Sequence, residues 1–428
     1  MPTPSLVSTT LFRLRKLSRR MWVRTTAFAL LALAAALFSR LVAPALPDAL
    51  THVVDVDAVL DILTVLSSSM LAVTTFSLGV IMSTRQAISS GITPRAHELV
   101  SQDPMTQRVL ATFMGAFTYA LTAQVLLRTG LYEQASSTVI LIVTIAVLAL
   151  VVIAMLGWIE HLTRVGSIPD TVAGLEAAMR PAIEDWHRRP ALGACPAPAD
   201  APLPAAARTA VRAPRSGYVQ HIDIGALDAL AAGADGAQVF VAAVIGSFVV
   251  DGDTLCLHSG QIDAEGLRAA FTIDRTRTFE QDVRFGVIVL SEIAQRALSP
   301  AVNDPGTAIF IIDRLTALLS GSSAEPEPPR CPRVFLPAVT GAELLTDGFD
   351  PIARDGAGMV EVQARLQRAF ATLIRHGDAA VAAAAREASR RAAERAAIAL
   401  PLEGDRARIR ALSAALREDT GAAPHSEM

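Results

Sequence analysis

Lysine is almost absent: Lys16 is the only one in 428 residues, and every other basic residue is Arg or His. Beyond position 16 this excludes a Walker A phosphate loop, a Schiff-base lysine, and a lipoyl or biotinyl attachment site. Cysteine is nearly as scarce. Cys195, Cys256 and Cys331 are far apart, form no CxxC, and are odd in number, so they cannot make a full disulfide framework. The net charge is only -3, so no basic field points to nucleic acid. The eight histidines show no HExxH and no paired ligand spacing, and neither GxSxG nor GxGxxG occurs. No cofactor is implied, and enzyme chemistry is weakly supported.

What the chain has is apolar residues, 52% of the total, concentrated before residue 160. A bilayer core needs about 20 mostly apolar residues in helix. Four stretches qualify: Trp22 to Ser39, Ala58 to Ser83, Thr106 to Leu127 and Thr138 to Trp158. The arginines orient them. Arg13, Arg15, Lys16, Arg19, Arg20 and Arg24 precede or open span one, whereas the next loop holds Asp48, Asp55, Asp57 and Asp61. Arg85, Arg95 and Arg108 follow span two, and Arg164, Arg180, Arg188 and Arg189 follow span four. This alternation predicts a multi-pass membrane protein with both termini cytoplasmic. A cleaved signal peptide is the rival reading of span one; the nearby Arg40 and the three further spans argue against it.

Span two is unusual. At 100° per residue, Asp61, Thr64, Ser68, Ala72, Thr75, Gly79, Ser83 and Gln86 fall in one narrow arc. A line that is small or polar from one membrane surface to the other is expected to face protein or water. One reading is close helix packing. The other is a hydrated path closed by an oligomer, with Asp61 at its outer mouth. Span three offers a partner face in Ala111, Gly115, Ala116, Tyr119 and Ala123.

From about residue 165 the composition becomes that of a soluble domain. Residues 170–189 read as an amphipathic helix, and 190–215 as a Pro/Ala-rich linker. Strands are predicted at Tyr218 to Ile222, Val239 to Ile245, Phe248 to Val250 and Thr254 to Leu257. The last two flank Asp251-Gly252, a hairpin signal of type I′. A small β-barrel or sandwich follows from these runs. His221 with Asp223, and His258, read as strand-end residues rather than metal ligands. Thr278 is a predicted helix N-cap, with Gln281 completing a capping box.

The segment "RALSPAVNDPGTA", residues 296–308, crowds two prolines, Asn303, Asp304 and a glycine into one turn. Pro300 ends the helix before it, since Ser299 is pushed out of the α region. Asp304 caps the next helix, with Pro305 in its first turn. The stretch is therefore first a joint between two helices. A ligand or proton role for Asn303 and Asp304, with Arg284 or Arg296 nearby, is the alternative.

This joint, "TFEQDVRFG", "SGYVQHID" and "FSLGVIMSTRQAISSGITPRAHELVSQDP" together resemble the bacterial membrane-protein family known as domain of unknown function 2254, over about residues 15–400. Ser299, Pro300, Asn303, Asp304, Pro305, Thr307 and Ala308 match the family's joint. Thr93-Pro94-Arg95 departs from its Ser-Pro-Arg triplet. The resemblance implies a four-span membrane region followed by a cytoplasmic domain, and no activity. The expected organisation is a basic N-terminus (1–21), a four-helix transmembrane domain (22–160), a connecting helix and linker (161–215), a cytoplasmic α+β domain (216–340) and a helical C-terminal region (341–428). The expected partners are the lipid bilayer, further copies of the chain, and an unknown cytoplasmic protein or small ligand. An oligomeric channel or transporter-like protein is the first functional reading. An anchored structural or signalling protein is the second, and a membrane-bound enzyme the third.

Overall fold

A computed structural model describes residues 55–91, 104–129, 134–164, 167–197, 209–234, 236–321 and 327–418, with Thr26, Leu30, Leu31, Leu33 and Ala34. It divides into two compact units, meeting in sequence at Asp170/Thr171.

The first unit contains α1 (Val56–Gly91), α2 (Pro104–Arg128) and α3 (Gln134–Arg164). Within them, Val56–Ser83, Met105–Arg128 and Thr138–Leu162 are long and apolar enough to cross a bilayer. Three spans, not four, thus stand among the described residues; the expected first span, Trp22 to Ser39, lies largely outside them. Leu63, Leu66 and Met70 of α1, Phe113 and Tyr119 of α2, and Val147 and Val151 of α3 form the core. Apolar residues also cover the outside: Phe76 is 70% exposed and Ile153 68%. In water such a surface is unstable; against acyl chains it is the favoured one.

The second unit holds most of α4 (Ile168–Arg188), from Thr171 on, and builds two open sheets. The strands are β1 (Ala194–Ala197), β2 (Thr209–Arg212), β3 (Gly217–Ile222), β4 (Val239–Val241), β5 (Phe248–Val249), β6 (Thr254–His258), β7 (Phe271–Asp274) and β8 (Cys331–Pro337). One sheet has the order β1-β8-β4-β6-β2, parallel at β1/β8 and β4/β8; the other is the antiparallel β5-β3-β7. Val219, Ile222, Val239, Leu255, Ile273 and Val334 pack around the buried Leu227 of α5 (Ile224–Ala232) and Leu267 of α6 (Ala264–Ala269).

Three expectations are corrected here. Among the described residues there is no closed barrel, because both sheets keep free edges. The supposed linker holds β1 and β2, whose four residues each are too short for a periodic signal. Asp251-Gly252 does not close a hairpin: β5 pairs with β3, whereas β6 pairs with β2 and β4. Gly252 alone has positive φ (+88°), so the turn is not type I′, which needs both central residues there. The Asp253 N–H to Val250 carbonyl bond (2.9 Å) closes it, and the chain passes from one sheet to the other.

The helical part comprises α7 (Val283–Ala297), α8 (Pro305–Leu319), α9 (Gly341–Asp355), α10 (Val360–His376), α11 (Ala379–Ala399) and α12 (Glu403–Glu418). Leu175 and Met179 of α4 are fully buried in the second unit. Gly286 lets α7 approach α4, since a Cβ there would meet the Met179 side chain at 2.6 Å.

Candidate functional site

The buried face of α1 carries Val59, Leu63, Leu66, Ser67, Met70, Thr74 and Ser77. The predicted stripe lies about half a helical turn away. Asp61, Thr64, Ser68, Ala72, Thr75, Gly79 and Ser83 are all exposed, and nothing approaches within 4 Å of where a Cβ of Gly79 would sit. Ala111, Gly115, Ala116, Tyr119 and Ala123 of α2 are buried, but α1 meets this core with its apolar face and not with the stripe.

Three of the stripe's hydroxyls, those of Thr64, Ser68 and Thr75, are satisfied locally. Thr64 Oγ1 donates to the Leu60 carbonyl (2.7 Å), Ser68 Oγ to that of Thr64 (2.9 Å), and Thr75 Oγ1 to that of Leu71 (2.9 Å). Bonded this way, Ser and Thr do not need water, so their presence alone does not demand a wet path.

A second polar line went unseen in the sequence because it is interleaved with the apolar face. Gln124 Nε2 donates to Ser67 Oγ (3.2 Å), joining α2 to α1. Tyr119 Oη bonds Thr144 Oγ1 (3.0 Å) and donates to the Ile140 carbonyl (3.3 Å), joining α2 to α3. These are cross-helix ties of the kind that fix a bundle in lipid.

The joint after α7 is built from local backbone bonds. Ser299 accepts at its carbonyl from the N–H groups of Val302 (3.0 Å) and Asn303 (2.8 Å), and the Asp304 N–H reaches back to Ala297 (2.8 Å). Pro300 and Asn303 are exposed. Asn303, the only asparagine in the chain, has φ +50°, a conformation asparagine tolerates better than most residues. Asp304 caps α8: Oδ1 accepts from the Thr307 N–H (3.0 Å) and Oδ2 from its hydroxyl (2.6 Å), with Pro305 opening the helix. Both carboxylate oxygens are thus engaged. Arg284 lies at the other end of α7, bonded to Asp347 (2.7 Å) and Glu343 (2.9 Å), and its pairing with Asp347 holds its pKa above the ordinary value. About 20 Å of helix separates it from the joint, so the two do not share a pocket.

The helix predicted from Thr278 begins later. Asp282 is the N-cap of α7, accepting from the Phe285 N–H (3.0 Å), and Arg277 grips its carboxylate with Nε (2.7 Å) and Nη2 (2.9 Å). Gln281 does not cap; it bonds the backbone of Ile222. Asp223 caps α5 through Ala226 N–H (2.9 Å) and His221 is exposed, whereas His258 is buried in the core. Among the described residues no group of three His, Cys, Asp or Glu is placed to hold a metal ion.

The family profile for predicted membrane proteins of domain of unknown function 2254 matches residues 18–372. The chain belongs to this family. The segments near residues 217–222 and 278–286, both inside the matched range, touch in the fold through Ile222 and Gln281, and the joint at 299–308 stands at the far end of the helix that the second segment opens. Two mycobacterial relatives, Uncharacterized protein Rv1290c of Mycobacterium tuberculosis and Uncharacterized protein Mb1321c of Mycobacterium bovis, are each 29% identical over 324 residues, or 69% of this chain. The chain spans about 60% of the length of these curated relatives. No solved structure matches it.

Proposed function

We propose that this DUF2254 protein is a homo-oligomeric, channel-like protein of the bacterial inner membrane, with its α1 stripes facing one another and its second unit a cytoplasmic regulator. The observation that carries the reading is the exposure of the stripe directly opposite the face that α1 buries. A small-residue edge left outside one bundle suits contact with other copies. The arginine asymmetry supports cytoplasmic termini.

The back-bonded hydroxyls favour a second reading, in which the same edge packs dry and the protein anchors a structural or signalling module. Two measurements separate them. In a cysteine-free background, Ser68→Cys and Thr75→Cys should cross-link between copies in native membranes, and Ile62→Cys and Leu78→Cys, on the flanks, should not. In liposomes, the channel reading expects ion flux that Ser68→Leu or Thr75→Leu abolishes. Cross-links without flux leave the anchored module; flanking cross-links alone defeat both.

A further inference from the structure

The outer face of the smaller sheet ends in an exposed apolar tip. Phe248 of β5, Tyr218 of β3 and Asp274 of β7 stand opposite one another across the three strands. Opposed residues share a face of a sheet, and this face is turned away from the core, since the neighbours Val249, Val219 and Ile273 are buried. The Phe248 and Tyr218 rings meet edge to face, with centroids 5.1 Å apart. Phe248 is nonetheless 57% exposed, and Val250, two residues on, 53%.

Arginines surround the tip. Arg212 Nη1 donates to the Gly252 carbonyl (3.2 Å) and to Thr254 Oγ1 (3.0 Å), at the turn that follows Val250. Arg215 donates to the Ile273 carbonyl, and Arg275 follows Asp274. All three are exposed, and none is paired with a carboxylate among the described residues. Asp251, Asp253 and Asp274 share the tip. Asp253 and Asp274 accept from the backbone N–H groups of Val250 (2.7 Å) and Arg275 (2.8 Å), so the guanidinium groups keep donors to spare. The exposed Ile398 and Leu402 differ: Arg395 and Arg406 beside them are paired with Asp350 and Glu403.

Arginine with free donors around aromatic and aliphatic side chains suits a phospholipid surface. The planar guanidinium matches phosphodiester oxygens, and the apolar side chains enter below the headgroups. The chain supplies proximity. Only residues 165–167 separate α3, whose Thr138–Leu162 stretch is apolar enough to cross a bilayer, from α4. So short a tether raises the effective concentration of lipid, and a contact of a few side chains then suffices. We propose that Tyr218, Phe248 and Val250, with Arg212, Arg215 and Arg275, dock on the phospholipid headgroup layer of the membrane the protein spans. The contact is independent of conduction.

The full-length protein in liposomes that contain a phospholipid with a photoreactive headgroup tests this. After illumination, lipid adducts should map to residues 212–218 and 248–253, and not to the end of α11 around Ile398. Phe248→Ser combined with Val250→Ser should lose these adducts at an unchanged melting temperature, because both side chains are exposed. Arg212→Gln combined with Arg275→Gln should weaken them. The wild-type map is decisive even where a variant misfolds. A tip without adducts, a tip labelled no more than the Ile398 end, or crosslinks from the tip to a second copy in place of lipid would overturn the proposal.

Discussion

The side-chain amide of Gln281 binds both backbone groups of Ile222: its Oε1 accepts from the N–H at 3.0 Å and its Nε2 lies 3.5 Å from the carbonyl. One side chain thus stands in for a strand neighbour where β3 ends, and the segment leading into α7 is fastened to it. Gln281→Ala is expected to lower stability by about 1–2 kcal/mol, because it leaves two half-buried backbone groups short of a partner. Gln281→Glu keeps the acceptor, loses the donor, and should fall between. Thermal unfolding of the purified protein in detergent reads both, and equal stability of all three would refute the role.

Behind this contact sits the Arg277–Asp282 pair. Asp282 is 4% exposed and also caps α7. Asp282→Ala removes a cap and strands the guanidinium over the Phe285 ring, 4.9 Å from its centroid. A loss of about 3 kcal/mol is expected. Gly246 makes room for the pair: its φ is +79°, and a Cβ there would strike the Asp282 carboxylate. Gly246→Ala should therefore also destabilise, by more than about 1 kcal/mol. In the double variant with Asp282→Ala, which removes the carboxylate from the clash, the combined loss should be smaller than the sum of the two single losses, a coupling that a double-mutant cycle measures.

Asp304→Ala should cost about 1 kcal/mol as a lost N-cap, and Asp304→Asn much less. The Thr307 hydroxyl, then its N–H, lower the Asp304 pKa. The unfolded chain has the ordinary value, so the stabilisation is complete above about pH 4 and is lost as pH falls through the lower folded value. The acid limb of an unfolding titration should be shallower in Asp304→Asn than in the wild type. Identical limbs would remove the carboxylate from the cap.

Cys256, with its pKa pushed up to about 12 by burial, should resist alkylation at pH 8 in the native protein and react once denaturant is added. Cys195 and Cys331, half-buried, should label first. Peptide mapping after timed alkylation measures the order. Rapid native labelling of Cys256 would contradict its place in the core.

Local features were the most legible. Asp304 and Pro305 announced the start of α8 because a cap and a ring at the first turn are set within four residues. The misread features depend on remote partners. Gln281 fits a capping box by spacing, yet its partner is 59 residues away. Asp251-Gly252 looks like a hairpin, yet its flanking strands join different sheets.

The sequence by itself determined which segments are apolar enough to cross a bilayer and the membership of the family. Runs of about 20 apolar residues can be stable only in lipid or a core, and hydropathy is summed along the chain without regard to fold. Only the tertiary structure decided which side of α1 is covered. That choice rests on how Leu63, Leu66 and Met70 fit against Phe113 and Tyr119, a packing of distant residues that no periodicity along one helix can reveal.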